Sequence, residues 1–349
     1  MEYCVPYWHQ YQSLARHLRL NASAILNMHR LQRIIIVAAV LFAQVPALHA
    51  QEQKKPVQRQ RREVVIPADV QVIRDVVYRD LCDGEDAKKQ KNKLDLFLPK
   101  EKKDFPVMIF VHGGAWRHGD KNHFGLYSSL GAYWAHQGVA VAVINYRLSP
   151  EVKHPEHVKD VAKAFAWVHK NITTHGGRAD QIFLCGHSAG GHLVSLLATD
   201  ETWLKAEGLS SKSICGVIPI SGVYRVFGVS AGAGLNQQPD EKDAPVAGTG
   251  NAFLNSIFGP GEAVHRAASP LVHVHPDLPP FLVVCADKDL PLLPEQAKAF
   301  AAALKAKKCE VNLLEVADRN HMSVLMSSRK DDDPVGKAMK EFIMAHTKK

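Results

Sequence analysis

The chain has 349 residues, 46% hydrophobic and 22% charged, an ordinary globular composition that can bury a large core as one domain behind a leader. Its formal charge of +8 would suit nucleic acid only if it lay on the folded domain. Residues 1–62 hold nine Lys or Arg against Glu2 and Glu52, whereas the remainder carries 34 basic and 33 acidic residues, so no nucleic-acid partner is expected.

From Met28 the chain reads His29, Arg30, Arg33, an apolar run over residues 34–42, and the small-residue stretch Val45-Pro46-Ala47-Leu48-His49-Ala50. A short basic region, an apolar core and a small-residue exit have the layout of a secretory signal peptide. The run is shorter than the roughly 20 residues that span a bilayer, so the expectation is a cleaved signal over 28–50 and no stable membrane span afterwards. Cleavage is placed between Ala47 and Gln51, and the mature chain in the periplasm or medium. Residues 1–27 fit neither signal nor domain and raise Met28 as a translation start. Residues 51–65, rich in Gln, Lys and Arg, read as a solvated basic linker into a domain spanning 66–349.

Five cysteines follow: Cys82, Cys185, Cys215, Cys285 and Cys309. No close Cys-x-x-Cys pair occurs among them, which excludes a zinc ribbon or a thioredoxin-type site, and mainly free thiols are expected. Strands are predicted at 70–78, 93–98, 107–111 and 139–146, then a helix at 155–171. A strand at 181–185, a helix at 192–199, strands at 214–220 and 281–285, a helix at 293–307 and a strand at 310–315 continue the alternation. Apolar strands separated by helices predict an α/β fold, a mainly parallel sheet covered on both faces. The first two strands, around a polar turn at 83–91, predict an antiparallel edge hairpin. Residues 230–251, rich in Gly, Ala, Asp and Pro without periodicity, read as a long loop positioned to cover a substrate, and no separate cap domain is expected.

Gly186-His187-Ser188-Ala189-Gly190-Gly191 lies directly between a predicted strand and a predicted helix. That is the context of a nucleophile elbow, where a sharp turn raises the serine above the sheet and flanking glycines let neighbouring backbones pass. Val111-His112-Gly113-Gly114-Ala115-Trp116 follows an earlier strand. The amide of Gly113 or Gly114, with that of Ala189 after the nucleophile, could hold the charge on the oxygen of a tetrahedral intermediate. His112 is expected to brace this loop rather than to act as base. The His112, His118 and His123 crowd lacks a carboxylate or cysteine that would complete a metal site, so neither metal nor cofactor is expected.

A serine needs a base, and the base an acid, in the chain order Ser, Asp or Glu, His. The strand at 281–285 delivers Asp287 and Asp289 in one short loop. His321, after the last strand, is the only histidine between them and the tail residue His346, and is therefore read as the base. His265, His273 and His275 precede the acid and break that order.

At these motifs the chain resembles the esterase and lipase branch of the α/β-hydrolases, particularly esterases and aryl formamidases with a His-Gly-Gly-x-Trp loop, over nearly everything after residue 70. The resemblance implies Asp289 as the acid, with Asp287 its rival, and a catalytic set of Ser188, Asp289 and His321. It also implies an ion pair between Arg147 and Asp160 under the site. Trp116, His187 and Tyr224 are expected to line the substrate pocket. The branch related to hormone-sensitive lipase prefers glycine where Ala115 stands and an acid where His187 stands. With no cap, short or aromatic acyl esters are expected as small-molecule substrates. An aryl formamidase is the rival, disfavoured by the signal peptide; an oligopeptidase lacks its gating domain here, and a binding protein on a dead scaffold would not need all three catalytic residues.

Overall fold

Alternating β-branched runs set up a sheet whose strands each show one face to either layer of helices. The computed structural model describes residues 64–79, 91–227 and 252–347, all within the compact unit Arg61–Lys349. The signal, most of the linker, Cys82, most of the polar turn at 83–91 and the predicted loop at 230–251 lie outside the described residues.

Eight strands are present: β1 Val70–Val77, β2 Lys93–Pro99, β3 Phe105–Val111, β4 Ala140–Ile144, β5 Gly177–His187, β6 Gly216–Ile220, β7 Phe281–Lys288 and β8 Val311–Asn320. They form one sheet in the order β1-β2-β4-β3-β5-β6-β7-β8. The edge hairpin is antiparallel, β2 also runs antiparallel to β4, and every pairing from β4 onward is parallel.

The helices are α1 Leu126–His136, α2 Glu156–Asn171, α3 Ala189–Thr199, α4 Thr202–Lys205, α5 Ala252–Phe258, α6 Glu262–Ala267, α7 Leu293–Ala306, α8 His321–Ser327 and α9 Pro334–His346. Strand alternation divides the core in two. Val107, Ile109 and Val111 of β3 pack with Val161 and Phe165 of α2, Leu193 of α3 and Phe300 of α7. Met108 and Phe110 face the opposite layer, with Leu130 and Trp134 of α1, Val324 of α8 and Met339 of α9. Helix α1 was not predicted, because buried residues occur around most of its circumference and leave little polar contrast to reveal a 3.6-residue period. Helix α8 is likewise not among the predicted elements. Asn320 caps it, accepting from the amides of Met322 and Ser323 while Ser323 returns a bond to the Asn320 amide, so it starts directly at the end of β8.

Two buried carboxylates tie the loops beneath the C-terminal edge of the sheet. Asp160 of α2 receives both Nε and Nη2 of Arg147 at 2.8 Å, the Arg147 amide at 3.0 Å and Nη1 of Arg79 at 2.7 Å. Asp95 of β2 receives Lys121 Nζ at 2.6 Å and Arg74 Nη1 at 3.1 Å. Cys185, Cys285 and Cys309 are free thiols among the described residues. No described helix is long and apolar enough to cross a membrane.

Removing the Asp160 carboxylate takes the ion pair from Arg79 and leaves Arg147 with Glu156 alone in a half-buried place. Asp160→Ala is therefore expected to cost about 3 kcal/mol of stability, seen as a lower midpoint in urea denaturation, whereas an unchanged midpoint would show the cluster to be energetically idle.

Candidate active site

The site is assembled at the carboxyl ends of the parallel strands, where open α/β sheets bind ligands. Ser188 directly follows β5 with φ 56° and ψ −117°, a strained conformation for a residue with a Cβ, and stands at the N-cap of α3. Its amide donates to the Ile220 carbonyl at 2.9 Å, and its carbonyl accepts the His192 amide at 3.0 Å. The turn needs glycine where it crosses β3: a Cβ on Gly190 would stand 2.0 Å from the Val111 carbonyl oxygen. Ala189 is the first residue of α3, so its amide is among those without an acceptor inside the helix.

The Gly113-Gly114 loop lies alongside. A Cβ on Gly113 would come within 3.1 Å of the Ser188 Cβ, which puts this backbone against the Ser188 turn. Gly114 has φ +121°, and a Cβ there would collide with the His118 carbonyl at 2.1 Å. Its own carbonyl accepts the amides of Arg117 and His118, closing a tight turn. Ala115 and Trp116 continue at φ 53° and 58°. Two successive left-handed residues with side chains cost about 1–3 kcal/mol each. His112 is buried, with Nδ1 2.7 Å from the Gly113 carbonyl and its ring stacked on Tyr146 at 4.5 Å, the bracing place expected of it. Burial pushes the Tyr127 hydroxyl up to about 12.

Asp289 and His321 come together. The His321 Nδ1 stands 2.6 Å from Asp289 Oδ1, and the Asp289 side chain is fully buried. An imidazole whose Nδ1 faces a carboxylate carries its proton there and leaves Nε2 free to accept one. Burial pushes the Asp289 carboxyl upward, but hydrogen bonds from His321 and Ser221 outweigh it and hold the group below the usual carboxylate range. Asp287 stands elsewhere: it is exposed and accepts the Arg319 amide at 3.0 Å.

Ser221, not singled out from the sequence, is buried at the end of β6 with φ 49° and donates its hydroxyl to Asp289 Oδ2. Its signal was positional: it directly follows the strand between those that lead to Ser188 and Asp289. All three expected pocket residues have partners other than solvent. His187 is buried, its ring centre 4.5 Å from that of His321, and its Nε2–H donates to the His321 carbonyl at 2.8 Å. Tyr224 is fully buried, stacked on Phe300 at 4.4 Å, and so stands in the core under α7. Trp116 is buried as well, edge-on to Phe258 at 5.1 Å. Among the described residues no group of three or more His, Cys, Asp or Glu is arranged to hold a metal ion.

Strand order, two-layer covering and a strained serine turn define an α/β-hydrolase. Residues 94–304, more than half the chain, match the BD-FAE family model, and the protein belongs to that family. Esterase LipC of Mycobacterium tuberculosis (strain ATCC 25618 / H37Rv) is 32% identical over 235 residues, 65% of this chain and 56% of LipC. Isoprenylcysteine alpha-carbonyl methylesterase ICME of Arabidopsis thaliana is 29% identical over 267 residues, 73% of this chain and 58% of that protein. The chain thus spans little more than half the length of these relatives. The crystal structure of Esterase B from Lactobacillus Rhamnosis (HN001) superposes with a TM-score of 0.65 at 22% identity, covering 82% of this chain and 88% of that one, a likeness of fold.

The site's histidines make a prediction about stability. Burial pushes the imidazole of His112 down to about 4 and those of His157, His187 and His192 down to about 3, from 6.5. Because the folded values are depressed, the unfolded chain takes up these protons first. The contribution is complete above pH 6.5 and is lost as pH falls toward the folded values, with a slope approaching about 1.4 kcal/mol per pH unit for each histidine. Asp289, also depressed, acts in the same direction at lower pH. The urea midpoint should fall between about pH 7.5 and about pH 5; a midpoint that stays level would show that these rings are protonated in the fold.

Proposed function

We propose that the protein is a serine hydrolase of carboxylic esters that works through an acyl-enzyme. The observation that carries this reading is the buried Asp289 carboxylate on His321 Nδ1, at the same sheet edge as the strained Ser188 turn. Ser188 attacks the ester carbonyl while His321 Nε2 takes its proton and then returns it to the leaving alcohol. Water, activated by the same nitrogen, releases the acyl group. Asp289 holds the tautomer and stabilises the imidazolium, with Ser221 fixing its other oxygen. The Ala189 amide at the head of α3, with that of Gly113 or Gly114 in the adjoining loop, takes the oxyanion.

The relatives named esterases support carboxylic ester hydrolysis over the formamidase alternative. Short or aromatic acyl groups follow from the sequence reading, as does export by a signal over 28–50, which N-terminal sequencing of secreted material would test.

Ser188→Ala is expected to abolish hydrolysis of p-nitrophenyl esters and labelling by a fluorophosphonate while the fold is retained. Asp289→Asn should lose about 10⁴-fold in turnover and Asp287→Asn little, because only the former disturbs the imidazole tautomer. Retained labelling in Ser188→Ala, or the reverse ranking of the two aspartates, would refute the assignment. N-formylkynurenine turned over faster than any ester would move the protein to the formamidases.

A further inference from the structure

Ala115 and Trp116 hold left-handed backbone without being glycine, so something outside the turn must keep them there. The Trp116 carbonyl accepts the Ser149 amide at 2.8 Å, and its indole N–H donates to Nδ1 of His192 at 3.2 Å. An indole only donates, so this Nδ1 must be bare. The other ring nitrogen meets that condition: His192 Nε2 lies 2.7 Å from the Ala268 carbonyl, which only accepts, so the single proton of the neutral ring resides there. His192 is fully buried and packs edge-on with Trp116 at 5.1 Å and Phe258 at 5.5 Å. Its backbone is bound to the nucleophile itself, through the amide that donates to the Ser188 carbonyl.

We infer that His192 is a positioning residue for the oxyanion loop, fastening the Gly114-Ala115-Trp116 turn through the indole of Trp116 to the same turn of α3 that begins at Ser188. The inference rests on the esterase reading above. One residue thereby registers two parts of the site: its main chain fixes the nucleophile turn, its side chain the loop that supplies an oxyanion donor. Ala268, between α6 and the turn that follows, anchors the far end, so the segment carrying Phe258 and Ala268 also bears on the loop. Burial pushes the His192 imidazole down to about 3, which keeps the ring neutral, while its two partners select the tautomer.

Three variants of the full chain test this, each normalised to active sites titrated with a fluorophosphonate. Trp116→Phe keeps the ring and removes only the N–H; His192→Phe keeps a ring without nitrogens; His192→Asn offers an amide oxygen where Nδ1 stood. Trp116→Phe and His192→Phe are expected to lose roughly 10- to 100-fold in kcat on p-nitrophenyl butyrate with KM within about twofold. Affinity for a trifluoromethyl ketone, which mimics the tetrahedral intermediate, should fall in the same proportion as kcat/KM. The double variant should be no slower than the slower single, and His192→Asn should recover part of the loss. A purely structural role would lower the melting temperature and the titrated fraction without this parallel. Trp116→Phe turning over within about twofold of wild type, or losing kcat without losing ketone affinity, overturns the inference. A wild-type protein that neither hydrolyses esters nor labels at Ser188 overturns the reading beneath it instead.

Discussion

The site depends on one backbone crossing. Where the chain turns from β5 into α3, Gly190 passes so close to the end of β3 that a Cβ would sit 2.0 Å from the Val111 carbonyl oxygen. That contact presses the first turn of α3 onto β3, brings the Gly113 backbone against Ser188 and leaves Ser188 in the left-handed region. Sheet order does the rest. Along β3, β5, β6, β7 and β8 the strand ends deliver, in turn, the Gly113-Gly114 loop, Ser188, Ser221, Asp289 and His321. Neighbouring strands are about 5 Å apart, so residues scattered over more than two hundred positions become neighbours along one edge.

Charge is distributed with the same economy. The fully buried carboxylates Asp95 and Asp160 are each met by two basic side chains, as burial of an ion requires, and they tie loops rather than face the serine. Asp289 is different in kind. It has a hydroxyl and an imidazole for partners, neither carrying a permanent charge, so its negative charge is available to an imidazolium formed at His321. Around it, His112, His187 and His192 are held neutral by burial, each with one ring nitrogen on a main-chain carbonyl. They act as fixed dipoles that define backbone positions near Ser188.

Legibility followed periodicity and local motif. Strands rich in Val and Ile were readable as short unbroken apolar runs, buried on both faces, and α2 because one of its faces is apolar and the other polar. The Gly-x-Ser-x-Gly turn and the His-Gly-Gly loop were readable as short motifs directly after predicted strands, although the contacts that demand Gly190 and Gly113 join distant parts of the chain. Asp289 and His321 were found through chain order and family resemblance, since their 2.6 Å contact joins positions 32 residues apart and leaves no local trace. The same reason hid Ser221 and the Trp116 to His192 bond, which span 68 and 76 residues. His187 and Tyr224 look like pocket residues in a string of letters, but the core claims both: the first under the His321 ring, the second on Phe300.

The central claim, a covalent acyl-enzyme on Ser188, is tested most directly by acid-quenching the protein during the first turnovers of p-nitrophenyl acetate and locating the added mass by peptide mapping. The account predicts a burst of p-nitrophenol matched by one acetyl group on the peptide carrying Ser188. Steady turnover with no acylated peptide, or an acetyl group on another residue, would contradict it.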